Sequence, residues 1–210
     1  MPGRRPFDTW TRVISRLRRD NLAIMDKARA VDIDEAAERL SETITPSPLG
    51  RSQRLSARSG LDVWLKREDL QAVRSYKLRG AYNLISQLTG EQSALGVVCA
   101  SAGNHAQGVA FACAHSGVGA RIYLPRTTPR QKRERVAELG GPGVRVVIEG
   151  DTCDDAAAAA ASDAARSGAV LVPAFNDLRT IVGQGTVVRE AIHQLGRART
   201  RWSFPSAAEV

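Results

Sequence analysis

The spacing of apolar residues changes several times along this chain, and each change marks the edge of a short segment. Residues 32–41 read as a helix with Asp32, Asp34 and Glu35 early, where the positive end of the helix dipole favours acids. Thr45-Pro46-Ser47-Pro48 ends it. Val63-Trp64-Leu65 reads as a short strand, and Leu78, Tyr82, Ile85 and Leu88 then fall on one helical face. Gly96 to Ala100 is an apolar strand, 104–116 an alanine-rich helix, and Arg121 to Leu124 a strand stopped by Pro125. Thr128 reads as an N-cap, with Pro129 at the first helical position and Glu134 inside a helix running to Gly140-Gly141. Val144 to Ile148 is a strand. Thr152 caps the next helix, with Asp154 and Asp155 in its first turn and Ala156 to Ala161 behind them as strong helix formers. Ala169 to Val172 closes the pattern as a strand, followed by a helix over 179–196. Single short strands alternating with helices predict an α/β fold, a mostly parallel sheet with flanking helices.

Composition narrows the reading. The 210 residues amount to one large domain or two small ones, with 43% hydrophobic residues to build a core. The formal charge of +8 first suggests an anionic partner. Its distribution argues otherwise. Residues 1–24 carry +4 and residues 197–210 carry +2, which leaves +2 on the body. No nucleic-acid or membrane partner is therefore expected. No apolar run has the roughly 20 residues a bilayer span needs, and the arginine-rich start lacks the apolar stretch of a secretory signal. Residues 1–27 read as a basic N-terminal extension. Phe7, Trp10, Ile14 and Leu17 allow an amphipathic helix, a disordered arm is the simpler account, and Met25 could be the true start. Cys99, Cys113 and Cys153 form no CxxC pair, so neither zinc nor a disulfide framework is expected. Three buried thiols in a cytoplasmic protein are expected instead.

Two segments carry candidate chemistry. In Ser75-Tyr76-Lys77-Leu78-Arg79-Gly80-Ala81, Lys77 opens a helix. The helix dipole there, with the charges of Arg74 and Arg79, favours the neutral amine, a better nucleophile toward a carbonyl. The bland alternative is a solvated surface lysine. In Ser101-Ala102-Gly103-Asn104-His105-Ala106-Gln107-Gly108, a strand passes into a helix through a turn whose free N–H groups suit an anion. A merely structural turn with Gly103 for tightness fits as well, and His105 reads equally as a satisfied turn histidine. His115 and His193 read as structural. Arg130, Lys132, Arg133 and Arg135 read as the wet face of a helix.

Taken together, these segments resemble threonine dehydratase (threonine ammonia-lyase), a family in the tryptophan-synthase-β-like, fold type II group of pyridoxal-phosphate enzymes. The resemblance runs from about Ile33 to about Gly196. It includes Leu65-Lys66-Arg67-Glu68-Asp69-Leu70, Pro129-Arg130-Gln131-Lys132 and Gly183-Gln184-Gly185-Thr186. Leu78 after the lysine fits the dehydratase and serine-racemase branch. Pro173-Ala174-Phe175-Asn176-Asp177 departs from the family's more usual Pro-Phe-Asp-Asp, with little consequence expected.

The resemblance implies a role for each matching position. Lys77 would form the Schiff base with pyridoxal 5'-phosphate and take the substrate α-proton. Asn104 would hydrogen-bond the cofactor's phenolic oxygen. Ser101, Gly103, Asn104 and His105 would hold the amino-acid carboxylate. The implied reaction converts L-threonine, or L-serine, to 2-oxobutanoate, or pyruvate, and ammonia, as in isoleucine biosynthesis. No metal is implied, and full-length relatives are expected to be homo-oligomers. A serine-racemase-like enzyme is the weaker alternative.

The resemblance also implies a glycine-rich phosphate loop and a Ser or Cys facing the pyridine nitrogen, both after the Gly183-Gln184-Gly185-Thr186 helix. Residues 28–196 are thus expected to be a partial lyase domain, with a complete small subdomain and an incomplete large one, and 197–210 an aberrant tail. A shifted reading of the codons from Arg201 permits Val-Val-Val-Pro-Val-Gly-Gly-Gly-Gly, which predicts a frameshift near Gly196. The chain is then expected to be inactive alone, with a non-catalytic fragment or half of a split enzyme as the alternative. A natural short protein with an unrelated tail is the competing account.

Overall fold

A computed structural model describes residues 29–196. The readings of the basic extension and of the tail concern residues outside that range.

The chain opens with α1 (Ala30–Leu40), whose Ala36 and Leu40 are buried at helical spacing. Past the Pro46/Pro48 break, β1 (Leu49–Arg51) leads to α2 (Gln53–Ser59), capped by the Ser52 hydroxyl, and β2 (Trp64–Lys66) returns antiparallel to β1. A short 3-10 turn at Glu68–Leu70 precedes α3 (Lys77–Ile85) and α4 (Gly90–Leu95). Then come β3 (Val97–Ala100), α5 (Asn104–Ser116), β4 (Ala120–Leu124), α6 (Arg130–Gly140), β5 (Val144–Ile148), α7 (Cys153–Ser167), β6 (Val170–Leu171) and α8 (Leu178–Leu195).

Strands β3 to β6 form one fully parallel sheet in the order β5-β4-β3-β6. Chain order runs outward from β3 to β5 and then returns to the far side of β3. Right-handed crossovers put α5 and α6 on one face and force the returning α7 onto the other. Burial agrees. Val97, Cys99, Ile122 and Leu124 point into the core shared with α5 and α6, while Val98 and Tyr123 meet Ala156 and Ala160 of α7. Near-continuous apolar strands are what burial on both faces requires. The small alanine side chains of α7 let it lie close on its face.

A second helical layer covers α5. Helix α3 lies between α5 and α8, and α1 packs against α3 and α8 around Leu40, Leu78, Phe111 and Val182. The approach leaves no room for side chains at three glycines. A Cβ on Gly183 would stand 2.7 Å from the Arg79 carbonyl oxygen and 2.9 Å from Gly80 Cα. One on Gly80 would stand 2.7 Å from the Thr180 carbonyl oxygen, and one on Gly108 3.0 Å from Leu78 N.

Val63-Trp64-Leu65 gives the expected short strand, shifted by one residue to Trp64–Lys66 and paired with β1 apart from the parallel sheet. Two sequence expectations need correction. Thr128 is not the cap of α6. Pro129 takes that position, and Thr128 lies one residue earlier, buried, with an Oγ1 that has no hydrogen-bond partner among the described residues. The three thiols are not alike either: Cys99 and Cys113 are buried, while Cys153 is exposed at the first position of α7. Burial raises the Cys113 thiol to about 12 and Cys99 further, so both stay protonated. The Thr152 cap is found as expected, with the Asp155 carboxylate closing a capping box.

Gly183→Ala is expected to lower stability by about 1–3 kcal/mol, because overlap with the α3 backbone outweighs alanine's better helix propensity. Gly90→Ala, where an added Cβ meets nothing within 4 Å, should leave stability unchanged or raise it. Urea unfolding of the two variants makes the comparison.

Candidate functional site

In an open parallel sheet, ligands sit beyond the carboxyl ends of the strands, in the crevice where strand order reverses. Here the reversal lies between β3 and β6. Two chain segments leave the sheet at that point: Ser101–Gly103 after β3, and Val172–Ala174 after β6.

The β6 exit is held by its carbonyls. The Val172 N–H donates to Val98 O at 2.8 Å, the last sheet bond on this edge. From there three consecutive carbonyl oxygens each accept from a side chain. His105 Nε2, on α5, lies 2.9 Å from Val172 O. The Thr180 hydroxyl, on α8, donates to Pro173 O at 3.4 Å. Ala174 O accepts twice, from Gln184 Nε2 on α8 and from Lys77 Nζ on α3, each at 3.2 Å. Three helices therefore meet on three peptide groups, and Lys77 is among the donors.

Lys77 is the first residue of α3 and is half-buried. Its ammonium is destabilised and its pKa lowered, as expected, but burial is the cause. The expected help from Arg74 and Arg79 is absent. Arg74 is exposed in a left-handed turn (φ 55°), and Arg79 points to the opposite side of α3. There its guanidinium takes Glu68 in a two-pronged pair at 2.8 and 2.9 Å and Glu190 at 2.9 Å. Lys66 pairs with Glu190 and donates to Ser47 O at 2.6 Å, and the Ser47 hydroxyl donates to Glu68 at 2.6 Å. This buried cluster of two cations and two carboxylates fixes the rotation of α3. It holds Arg79 away from the crevice and Lys77 toward it.

The β3 exit forms the other wall. The Gly103 N–H bonds back to the Ser101 hydroxyl at 3.2 Å and tightens the turn. Gly103 is the N-cap of α5, so the N–H groups of Asn104, His105 and Ala106 have no carbonyl within the helix to bond. A Cβ on Gly103 would meet nothing within 4 Å, so the turn faces open space. The Asn104 side chain is half-buried, with an amide that makes no hydrogen bond among the described residues. Donors without partners, room beside them and a poised amine suit an anionic ligand bearing a carbonyl.

His105 is buried, with 3% of its surface exposed. Val172 O can only accept, so Nε2 carries the proton and Nδ1 is the bare nitrogen. Nδ1 has no partner among the described residues. Burial, against the Val172 hydrogen bond and aided by the nearby Lys77 charge, lowers the imidazole pKa to about 4.

The fold brings the five residues singled out in the sequence to the two strand exits: Lys77 and His105 meet on the Val172–Ala174 carbonyls, and Ser101, Gly103 and Asn104 form the turn that leads into His105. His115 instead stacks on Phe111, with ring centroids 3.9 Å apart, and serves packing. Arg130 and Lys132 are exposed and Arg133 and Arg135 partly so, as read. The sequence reading missed the carbonyls of Val172, Pro173 and Ala174, which have no residue-type signature, and the donors Thr180 and Gln184. Gln184 stood in a recognised motif, but nothing local showed where it points.

Comparison with known proteins shows the family of the chain. Residues 40–206 match the family described as pyridoxal-phosphate dependent enzyme. The biosynthetic L-threonine dehydratase IlvA of Mycobacterium tuberculosis is 58% identical over 164 residues, 78% of this chain and 38% of the relative. That of Corynebacterium glutamicum is 53% identical over 167 residues, 80% of this chain and 38% of the relative. Among solved structures, the processed form of threonine deaminase isoform 2 from Solanum lycopersicum has a TM-score of 0.72 at 39% identity, covering 79% of this chain and 46% of that one. Maize serine racemase has a TM-score of 0.76 at 34% identity, covering 80% and 50%. The chain spans 38% of the length of each of these two dehydratases.

Two variants probe the site's supports. Arg79→Met leaves Glu68 and Glu190 buried without their shared partner and is expected to cost roughly 3–5 kcal/mol, read by urea unfolding. His105 binds a proton in the unfolded chain below pH 6.5 but in the folded protein only near pH 4. Its contribution to stability is therefore complete above pH 6.5 and is lost as pH falls through about 4. Relative to His105→Gln, the parent protein should lose roughly 3 kcal/mol across that interval. Parallel unfolding curves for the two proteins at every pH would rule this out.

Proposed function

The chain belongs to the family of pyridoxal-phosphate dependent enzymes, and from that premise we propose that its crevice serves the deamination of L-threonine to 2-oxobutanoate and ammonia, with L-serine as the smaller substrate. The observation that carries the reading is the half-buried Lys77 amine, its pKa lowered by burial, set beside the open turn at Ser101–His105. The 58% identity to a biosynthetic L-threonine dehydratase supports the choice of reaction.

The described residues fit the carbonyl end of pyridoxal phosphate. Lys77 would hold its aldehyde carbon, and the Asn104 amide would meet its phenolic oxygen. When bound, the cofactor supplies an electron sink for the bonds at the substrate α-carbon. The chain's own residues do the rest. The N–H groups at the start of α5, with the Ser101 hydroxyl, would take the carboxylate and fix the amino acid's orientation. Lys77 Nζ would then accept the α-proton, a transfer favoured by an amine held below the ordinary lysine range. Arg79 is closed off by its two carboxylates and does not compete for the substrate's anionic end.

In the domain division we propose, residues 28–196 carry the small subdomain, with the four-stranded sheet at its centre, and the first part of a larger one. The phosphate anchor and the group facing the pyridine nitrogen would come from sequence equivalent to the longer part of the relatives. A serine-racemase-like activity is the second reading, favoured by the TM-score of 0.76 to the maize enzyme.

Incubating the 210-residue chain with pyridoxal phosphate, reducing with borohydride and mapping the peptides is expected to place the label on Lys77 ahead of the exposed Lys132. Preferential labelling of Lys132 would contradict the assignment. Production of 2-oxobutanoate by the chain alone should stay near background. It should rise when the chain is fused to the C-terminal portion of the Mycobacterium tuberculosis relative, and fall again on Lys77→Ala. D-serine formed from L-serine faster than pyruvate would favour the second reading.

A further inference from the structure

The His105 backbone supplies one of the free N–H groups at the start of α5. Its side chain does something separate. The imidazole is buried against the β6 exit and spends its one proton on Val172 O at 2.9 Å. That carbonyl is the first of three in a row. The last, Ala174 O, is where Lys77 Nζ is seated, 3.2 Å away. Pro173 lies between them, has no N–H of its own to anchor it, and restricts the backbone that joins the two carbonyls. Whatever fixes Val172 O therefore helps fix Ala174 O.

The other supports of this track come from α8: Thr180 at Pro173 O and Gln184 at Ala174 O. Among the described residues, only His105 reaches it from α5, the helix whose first turn forms the facing wall. The imidazole is thus the link that ties the amine's seat to the turn opposite. Tyr76 and Arg79 on α3 flank Lys77 in sequence. Arg79 is neutralised by Glu68 and Glu190, and the Lys77 ammonium lies 5.3 Å from the Tyr76 ring centroid. On α8, Arg179 pairs with Asp177.

We propose that the His105 side chain is a positioning residue for Lys77: its Nε2–H, bonded to Val172 O, locks the Val172–Ala174 carbonyl track and so sets where the Lys77 amine stands relative to the Ser101–His105 turn. The proposal rests on the reading of Lys77 as the reactive amine and adds the element that aligns it. The bare Nδ1 and the low proton affinity of the ring follow from the same arrangement. A charged imidazole there would put a second cation beside Lys77.

The test compares two variants that bury the same amide at the same place. In His105→Gln the amide nitrogen stands near the position of Nε2 and can still donate to Val172 O. In His105→Asn it falls one methylene short. Competitive acetylation of the full chain, with no cofactor added, gives the pH midpoint of Lys77 labelling by peptide mass spectrometry. Release of the track should let Lys77 swing toward solvent, so the midpoint in His105→Asn should rise by about half a pH unit or more. His105→Gln should keep the parent midpoint. No rise in His105→Asn, or an equal rise in both variants, overturns the proposal.

A measurement on the unmutated protein covers the case in which a variant does not fold. Long-range proton–nitrogen NMR should show His105 as the Nε2–H tautomer above pH 6.5, and the Nδ1–H tautomer would overturn the proposal by itself. Failure of Lys77 to be the preferred site of pyridoxal-phosphate capture would strike the proposed function instead and leave the tether intact, so the two can fail separately.

Discussion

Helix α3 is packed backbone to backbone on two sides, and the site depends on that constraint. Gly80 and Gly183 let it touch α8 with no side chain between them, and Gly108 lets α5 approach its first turn as closely. Contacts made by backbone atoms have little freedom to relax, so the helix can neither slide nor roll without overlap. Its rotation is then fixed from the far side, where Arg79 is clasped by Glu68 and Glu190. Such a cluster adds little net stability over an apolar one of the same shape, because desolvation of the four charged groups offsets most of their attraction. What it does supply is direction: only one orientation of α3 satisfies all four. Lys77, two residues before Arg79 on the helix, is aimed at the crevice by that choice.

The crevice itself follows from the topology. Had β6 added beyond β5, two strands would separate its exit from the turn after β3, and α7 would share a face with α5 and α6. Returning instead to the far edge of β3 brings the two exits side by side and opens the space between them. A strand exit offers carbonyls and a helix start offers N–H groups. The site therefore has a wall of acceptors at Val172–Ala174 and a wall of donors at Asn104–Ala106, with one amine between. Side chains refine this polarity, but the backbone creates it.

Most of the sheet was legible in the sequence because strands buried on both faces must be short and nearly all apolar, as 97–100 is and as 120–124 and 144–148 are but for Arg121 and Arg145. The helices were legible where a cap and a periodic face coincided, as at Thr152. Pairing was less so. The Trp64–Lys66 strand has the composition of a sheet member, but its partner Leu49–Arg51 contains a glycine and an arginine and gave no strand signal. The site's donors were found because Lys77 and the Ser101–His105 turn have distinctive residue types. Its acceptors were invisible: Val172, Pro173 and Ala174 act through carbonyls that any residue would supply. The Ala174 position, read as a departure of little consequence, became a contact of the amine once the fold placed it.

The electrostatics of the crevice are those of one cation and several dipoles, and this bears on what can bind there. Arg79 is the nearest strong charge in sequence, and its two carboxylates hold it out of the crevice. His105 feels the charge of the amine and stays neutral because it is buried and already donates its proton. The remaining field comes from Lys77 and from helix-end N–H groups, which attract an anion without giving it a second ammonium to pair with. A ligand carrying one carboxylate and one electrophilic carbon can satisfy both features at once. The chain's net charge of +8 lies mostly in the terminal segments. In the proposed function, selectivity would come from the crevice between β3 and β6, where each donor has a fixed direction.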